Sequence, residues 1–258
     1  MIQIPDTFIG FDLETTGVDV ETDRIVTGAW VEVLHGSLRR SRKWLVDPGI
    51  PIPAEATRVH KITTEMAQAE GMNPIRATAQ LAGRIWSALS EGVPLVIMNA
   101  PYDLTLLDRE CRRHDVTPIT EMIASAKDAV ILDPYVLDRR VDPFRPGKRQ
   151  LEALAGYYGV TLNGAHEAGA DALAAVQVTQ QILRTAEDER AFSRSTYHHE
   201  VHGRDLGELY QQQKLWFAAQ SAGYQDWLRR TKNPKAVING SWPVIPAPEN
   251  APKVAHVA

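Results

Sequence analysis

Five residues of this sequence have side chains and contexts suited to chemistry on phosphate. Asp12 and Glu14 stand in Asp12-Leu13-Glu14-Thr15-Thr16-Gly17, Asp103 closes Asn99-Ala100-Pro101-Tyr102-Asp103, and His166 and Asp171 bracket His166-Glu167-Ala168-Gly169-Ala170-Asp171. Four carboxylates and one imidazole are what two-metal cleavage of a phosphodiester needs. Acidic oxygens hold two hard divalent ions roughly 3.5–4 Å apart, and the ions polarise the phosphate and stabilise the attacking and leaving oxygens. A neutral histidine removes the proton of the attacking water. Asp12 and Glu14 are two apart, so on a strand both side chains leave the same face. Two acids there are costly unless something positive binds. Thr15 and Thr16 add backbone amides and hydroxyls suited to a scissile phosphate or a terminal sugar. Taken singly, each group has a plainer explanation: solvated carboxylates at a strand end, an acid favoured by the helix dipole at Asp103, a structural or exposed histidine at 166. Their joint occurrence points to a nuclease.

The elements that must position these groups are readable from pattern. Residues 7–12 read as a buried strand ending at the first two carboxylates, and residues 25–34 and 40–46 continue as strands, with Gly36-Ser37 in the turn between them. A proline-rich loop over 48–53 leads to His60. Apolar groups near helical spacing predict a helix over 74–90, followed by a short central strand at 94–98. A further helix begins near Pro101, whose fixed φ suits a first helical turn. Residues 129–132 make a fifth strand, and 149–158 and 167–186 make two more helices. Asn163-Gly164 places His166 in a loop and Asp171 in the first turns of the helix, so the two need not share a helix face. Three strands followed by strand–helix alternation fit an α/β domain with a mixed sheet. Beyond it, residues 187–204 are polar and histidine-rich and read as a linker or helix extension. Residues 205–258 read as an amphipathic helix with a proline-rich tail. Asp205 and Glu208 form a capping box for that helix, and Asn233-Pro234 stops it. Its large apolar groups, Trp216, Phe217, Tyr224 and Trp227, are expected to face the core, with base stacking or partner docking as the alternative.

The motifs, together with Val59-His60-Lys61-Ile62-Thr63 and Lys148-Arg149-Gln150-Leu151-Glu152-Ala153-Leu154 ahead of Tyr158-Gly159-Val160, follow an order that resembles the DEDDh family of 3′→5′ exonucleases. This is the family of the proofreading epsilon subunit of bacterial DNA polymerase III. The resemblance covers about residues 6–186. The third motif matches in full; in the second, Met98 replaces the family's common histidine and Pro101 is unusual. The resemblance implies a ribonuclease H-like mixed β-sheet flanked by helices over 1–186, with a C-terminal helical extension. It implies two divalent ions, Mg²⁺ or Mn²⁺, and hydrolysis of single-stranded DNA from the 3′ end to nucleoside 5′-monophosphates. Asp12, Glu14, Asp103 and Asp171 would be the metal ligands and His166 the general base, with Leu13, Thr15, Thr16, His60 and Asn99 beside the substrate. Two readings of His60 stand level: it shapes the pocket of the terminal nucleotide, or it orients its own loop by hydrogen bonds. The same motif set serves RNA-directed members, so an exoribonuclease is the alternative. Rivals from other classes are a catalytically silent nucleic-acid-binding or scaffold subunit and a phosphatase or nucleotide hydrolase of similar fold. The implied partners are nucleic-acid 3′ ends and a DNA polymerase or repair protein.

Whole-chain properties agree. Among the 258 residues, 44% are hydrophobic and 23% charged, as in ordinary globular proteins. The net charge of −4 means that attraction to nucleic acid must be local. The clearest basic cluster is Arg139, Arg140, Arg145, Lys148 and Arg149, for which phosphate contact and plain solvation weigh equally. Cys111 is the only cysteine. It excludes an intramolecular disulfide and a cysteine-based zinc site, and its helical context reads as inert core. With neither a signal-peptide pattern nor the ~20 apolar residues of a membrane span, the expected location is cytoplasmic, with no membrane partner.

Overall fold

The protein is described from a computed structural model over residues 4–162, 167–192 and 196–248. The central strand, β1 (Thr7–Thr15), is buried on both faces from Phe8 to Phe11. It pairs antiparallel with β2 (Ile25–Leu34), which pairs antiparallel with β3 (Ser37–Leu45). On its other side β1 pairs parallel with β4 (Leu95–Val96), and β4 with β5 (Ile131–Leu132). The order is β3-β2-β1-β4-β5, a mixed sheet as expected. β3 is exposed from Ser37 to Lys43 and carries three arginines and a lysine there, which protects this edge from pairing with another chain.

Helices cover the sheet: α1 (Ala54–His60), α2 (Thr64–Glu70), α3 (Pro74–Ser90), α4 (Ala100–Arg113), α5 (Ile119–Ser125), α6 (Pro134–Val141), α7 (Leu151–Tyr157), α8 (Ala168–Glu187) and α9 (Leu206–Thr231). The long ones coincide with the periodic stretches of the sequence. The short helices α1, α2, α5 and α6 lie where no periodicity was legible, and local chemistry defines two of them. The Thr63 hydroxyl accepts from the amide of Met66 to start α2, and the Asp133 carboxylate accepts from that of Tyr135 to start α6. Gly10 governs the main layer contact. A Cβ there would stand 2.5 Å from the Ala172 carbonyl oxygen and 2.7 Å from Val31 Cγ2. Only glycine lets α8 lie this close to β1, so Asp171 comes down beside Asp12.

The C-terminal helix is fastened to the sheet by a polar link. Gln213 is fully buried; its Oε1 accepts from the Asp133 amide at 2.8 Å and its Nε2 donates to the Ile131 carbonyl at 3.0 Å. Its amide thus satisfies the backbone of β5 at the sheet edge. Leu209, Tyr210 and Trp216 bury around it, and the tail returns so that Trp242 and Val244 enter the core. The Ile245 amide donates to Thr105 Oγ1 at 2.9 Å. The expectation that all four aromatics of this helix face the core is corrected. Trp216 is buried and Phe217 packs on the core, but Tyr224 and Trp227 are 47% and 41% exposed, because α9 outruns the body beneath it. The 187–204 segment carries short 3-10 turns at Glu189–Ala191 and His198–Glu200 and buries His198 and Val201. No described helix is long and apolar enough to cross a membrane.

Gln213→Ala tests the link. It orphans a buried amide and a buried carbonyl at about 1–3 kcal/mol per group, which for a chain of this size lowers the melting temperature by about 4–10 °C. Scanning calorimetry measures it; an unchanged transition would mean that apolar packing alone holds α9.

Candidate active site

The last residues of β1 run into an acidic corner. Asp12 and Glu14 share one face of the strand and Leu13 turns to the other, where it is buried. Asp171, in the first turn of α8, brings its carboxylate to them, and one ligand oxygen from each of the three lies within 4.8 Å of the others. The fourth acid arrives from α4. Asp103, in the first turn of that helix and 4% exposed, accepts the Leu13 amide on Oδ1 at 2.9 Å, between Asp12 and Glu14 along the strand. A second buried acid sets the start of α4. The Asp133 carboxylate, at the end of β5, takes the amides of Asn99 and Ala100 at 3.0 Å each while Asn99 holds a left-handed φ of 58°. The parallel strands β1, β4 and β5 all end at this edge, where α/β sheets bind ligands.

Electrostatics identify what this corner lacks. Burial pushes Asp12 well above the usual carboxylate range, and Asp103, Glu14 and Asp171 push it further. Burial and then Asp171 raise Glu14 to about 7. Asp103 is also raised by burial, with amide hydrogen bonds opposing the shift and Glu14 and Asp133 adding to it. Among the described residues no lysine or arginine forms an ion pair with Asp12, Glu14 or Asp103. Hard carboxylate oxygens gathered this closely fit a divalent cation of the magnesium class.

Beside Glu14 lies a cavity of about 580 Å³ bounded also by Leu13, Thr15, Thr16, Ala56, His60 and Tyr102, among others. Its floor is a rigid turn. The Tyr102 hydroxyl donates to the Gly17 carbonyl, and Thr15 Oγ1 lies within hydrogen-bond distance of both, 2.7 Å from that carbonyl. Thr16 donates to Asp23 Oδ1 at 2.6 Å and accepts the Arg24 amide, so its hydroxyl is engaged in shaping the loop. A Cβ on Gly17 would meet Asp23 at 2.6 Å. His60 ends α1 and is 8% exposed; its Nδ1 accepts the Ile62 amide at 3.1 Å and burial depresses its pKa, so the ring is held neutral. It stands between this cavity and a second one, of about 550 Å³, bounded by Glu14, Lys43, Trp44, Met66 and Glu167. Lys43 bonds to Glu167 there at 3.0 Å.

The structure therefore gathers Asp12, Glu14, Asp103 and Asp171 at one corner, with Leu13, Thr15, Thr16 and His60 beside it. Asn99 instead lines a smaller pocket with Tyr135, Arg139 and Tyr224, because its left-handed turn directs it away from the acids. His166 lies outside the described residues. Of the basic cluster, Arg145 and Arg149 are held by buried Asp138, and Arg140 by Glu200. Asp108 and Asp133 are buried structural acids, Asp108 binding Arg109, Arg112 and Thr120. Sequence reasoning passed over Tyr102, Lys43 and Gly10. The first stood inside a recognised motif, and an isolated glycine in an apolar strand signals a close backbone approach; Lys43 carries no signal beyond its charge.

Known proteins share the sequence pattern and the fold. An exonuclease family model, RNase_T, matches residues 9–179. The chain is 34% identical over 182 residues to a DNA polymerase III subunit epsilon-like protein of Rhodobacter capsulatus, covering 69% of this chain and 24% of that protein. It is 28% identical to the DNA polymerase III subunit epsilon of Treponema pallidum, over 64% of this chain and 71% of that protein. Among solved structures, E. coli exonuclease I in complex with a dT13 oligonucleotide shares the fold, with a TM-score of 0.55, 20% identity, and coverage of 72% of this chain and 45% of that one.

The raised carboxylates give the metal-free protein a defined pH dependence. Glu14 releases its proton near its ordinary 4.5 when unfolded but near 7 when folded. Through that interval the folded state binds more protons, so stability falls as pH rises. The metal-free melting temperature should therefore drop between about pH 4.5 and 7, with Mg²⁺ restoring more of it at the upper end. Differential scanning fluorimetry across pH checks it; a flat profile would show the carboxylates to be unperturbed.

Proposed function

The chain belongs to the RNase_T exonuclease family, and from that premise we propose that it removes nucleotides from the 3′ end of single-stranded DNA. The products would be nucleoside 5′-monophosphates and the cofactors two divalent ions, Mg²⁺ or Mn²⁺. The observation that carries the proposal is the meeting of Asp12, Glu14 and Asp171 oxygens within 4.8 Å, with Asp103 hydrogen-bonded onto the strand between them. Asp12, Glu14 and Asp171 would hold one ion, and Asp12 with Asp103 the other. Bound there, the ions would supply Lewis-acid activation of the phosphate and neutralise the charge on the departing oxygen.

The remaining steps belong to the chain itself. The 580 Å³ cavity would receive the terminal nucleotide, its base against Ala56, Val59 and His60, its sugar over the Thr15–Gly17 turn that Tyr102 fixes. A neutral His60 adds no charge to this wall. His166, by resemblance to the family's third motif, would take the proton of the attacking water. Two relatives are named as polymerase III epsilon or epsilon-like proteins and the structural neighbour was solved with dT13; these support a DNA substrate, a cytoplasmic setting and a polymerase or repair partner. The chain spans only 24% of the Rhodobacter protein.

Matched DNA and RNA oligomers labelled at either end, with Mg²⁺, test the proposal. The 3′ label should leave as a mononucleotide, DNA should be consumed faster than RNA, and free nucleotides should stay intact. Asp12→Ala and Asp171→Ala should abolish release, and His166→Ala should slow it by about 10²–10⁴-fold while substrate still binds. Release of internal fragments, or a His166→Ala rate equal to wild type, would contradict the assignment.

A further inference from the structure

The exposed end of α9 combines features found together on surfaces that bind single strands. Tyr224 and Trp227 stack with ring centroids 5.8 Å apart and an interplanar angle of 15°, and both are more than two-fifths exposed. Lys232 places its ammonium 5.0 Å from the Trp227 ring, and Arg229, Arg230 and Lys235 are exposed around it. Charge here runs opposite to the whole chain. Residues 209–248 hold five cations and one acid, Asp226, for a net charge of +4, whereas the entire chain carries −4.

This patch is continuous with the catalytic edge. Tyr224 and Phe217 share a face of α9 and line a pocket of about 150 Å³ with Asn99, Tyr135, Arg139 and Asn239. Asn99 precedes Asp103 by about one turn of α4. Arg139 bonds the Tyr135 hydroxyl at 2.7 Å and lies over that ring; among the described residues no carboxylate pairs with it, in contrast to Arg140, Arg145 and Arg149. From Phe217 to Trp227 the helix rises about 15 Å. On the other side of the active site Lys43 is committed to Glu167, and Glu70 stands in the same wall as Lys61.

We propose that the strand upstream of the cleaved 3′ end leaves the active site past Asn99 and Arg139 and stacks its bases on the Tyr224–Trp227 pair. The inference rests on the nuclease reading above. Arg139 and the Arg229–Lys232 cluster take the phosphates and the rings take bases irrespective of sequence. α9 is thereby a grip on long substrates, separate from the chemistry.

The test compares wild type with Tyr224→Ala/Trp227→Ala and with Arg139→Ala, using 5′-fluorescein oligothymidylates of about 20 and about 4 nucleotides. Anisotropy is read in Ca²⁺ and mononucleotide release in Mg²⁺. The double variant should bind the longer strand about 5–100-fold more weakly. Its affinity and turnover for the shorter strand, and its melting temperature, should stay at wild-type values. Arg139→Ala should reduce the salt dependence of long-strand binding by about one phosphate contact. Trp227→Phe, which keeps a ring, should retain most of the affinity. Unchanged long-strand binding would overturn the proposal and leave the patch to a protein partner; equal losses on both lengths would also overturn it, as a general structural defect. Failure of the two readings is distinguishable: long-strand binding that depends on the patch without any mononucleotide release would remove the nuclease reading and keep the grip. Normal digestion with patch-independent binding would do the reverse.

Discussion

Mutual repulsion among clustered, partly buried carboxylates is the constraint on which the rest of this structure turns. Asp12, Glu14, Asp103 and Asp171 approach one another where burial already disfavours charge, and Asp12, Glu14 and Asp103 are shifted upward as a result. A chain selected only for stability would not gather acids there. The rest of the fold holds them in spite of it. Gly10 lets α8 close on β1, the Leu13 amide fixes Asp103, and the positive ends of α4 and α8 face the acids they carry. The cost is offset once a divalent ion enters, which couples metal affinity to proton release and to stability.

Asp133 connects this corner to the C-terminal extension. Its carboxylate orders the turn that launches α4, and its own amide is taken by Gln213 of α9, while Trp242 closes over it at 3.4 Å. The helix beyond the exonuclease core is therefore attached one hydrogen bond away from the residue that aims Asp103. Arg109 adds a second tie, joining Glu21 in the loop after β1 to the Pro246 carbonyl of the tail. Changes in α9 can reach the catalytic edge by these routes without contacting a metal ligand.

Legibility in the sequence followed how local each determinant is. The four acids could be read because each sits in a short distinctive context, and α3, α8 and α9 because periodicity accumulates over 17 to 26 residues. The Asp205–Glu208 capping box formed as its spacing predicts. The short helices α1, α2, α5 and α6 left no such signal, whereas the seven-residue α7 was readable. Periodicity also could not separate Trp216 from Trp227, since both continue one helix; what differs is whether the sheet extends beneath them. Asn99 stood beside Asp103 in sequence, yet a left-handed residue turned it into another pocket. The pairing of Lys43 with Glu167, 124 residues apart, is tertiary and has no sequence counterpart.

The most direct test of the central constraint is calorimetric titration of Mn²⁺ into the metal-free protein near pH 6, in two buffers of different ionisation enthalpy. Carboxylates raised by burial and repulsion must lose protons when the ion binds, so the observed heat should change with buffer in proportion to net proton release. The share released by Glu14 should fade as pH passes above about 7, where it is already ionised, and tight binding should be lost in Asp12→Asn. Tight binding at pH about 6 with identical heats in both buffers would contradict the account, because the acids would then be ionised and unperturbed before any metal arrived.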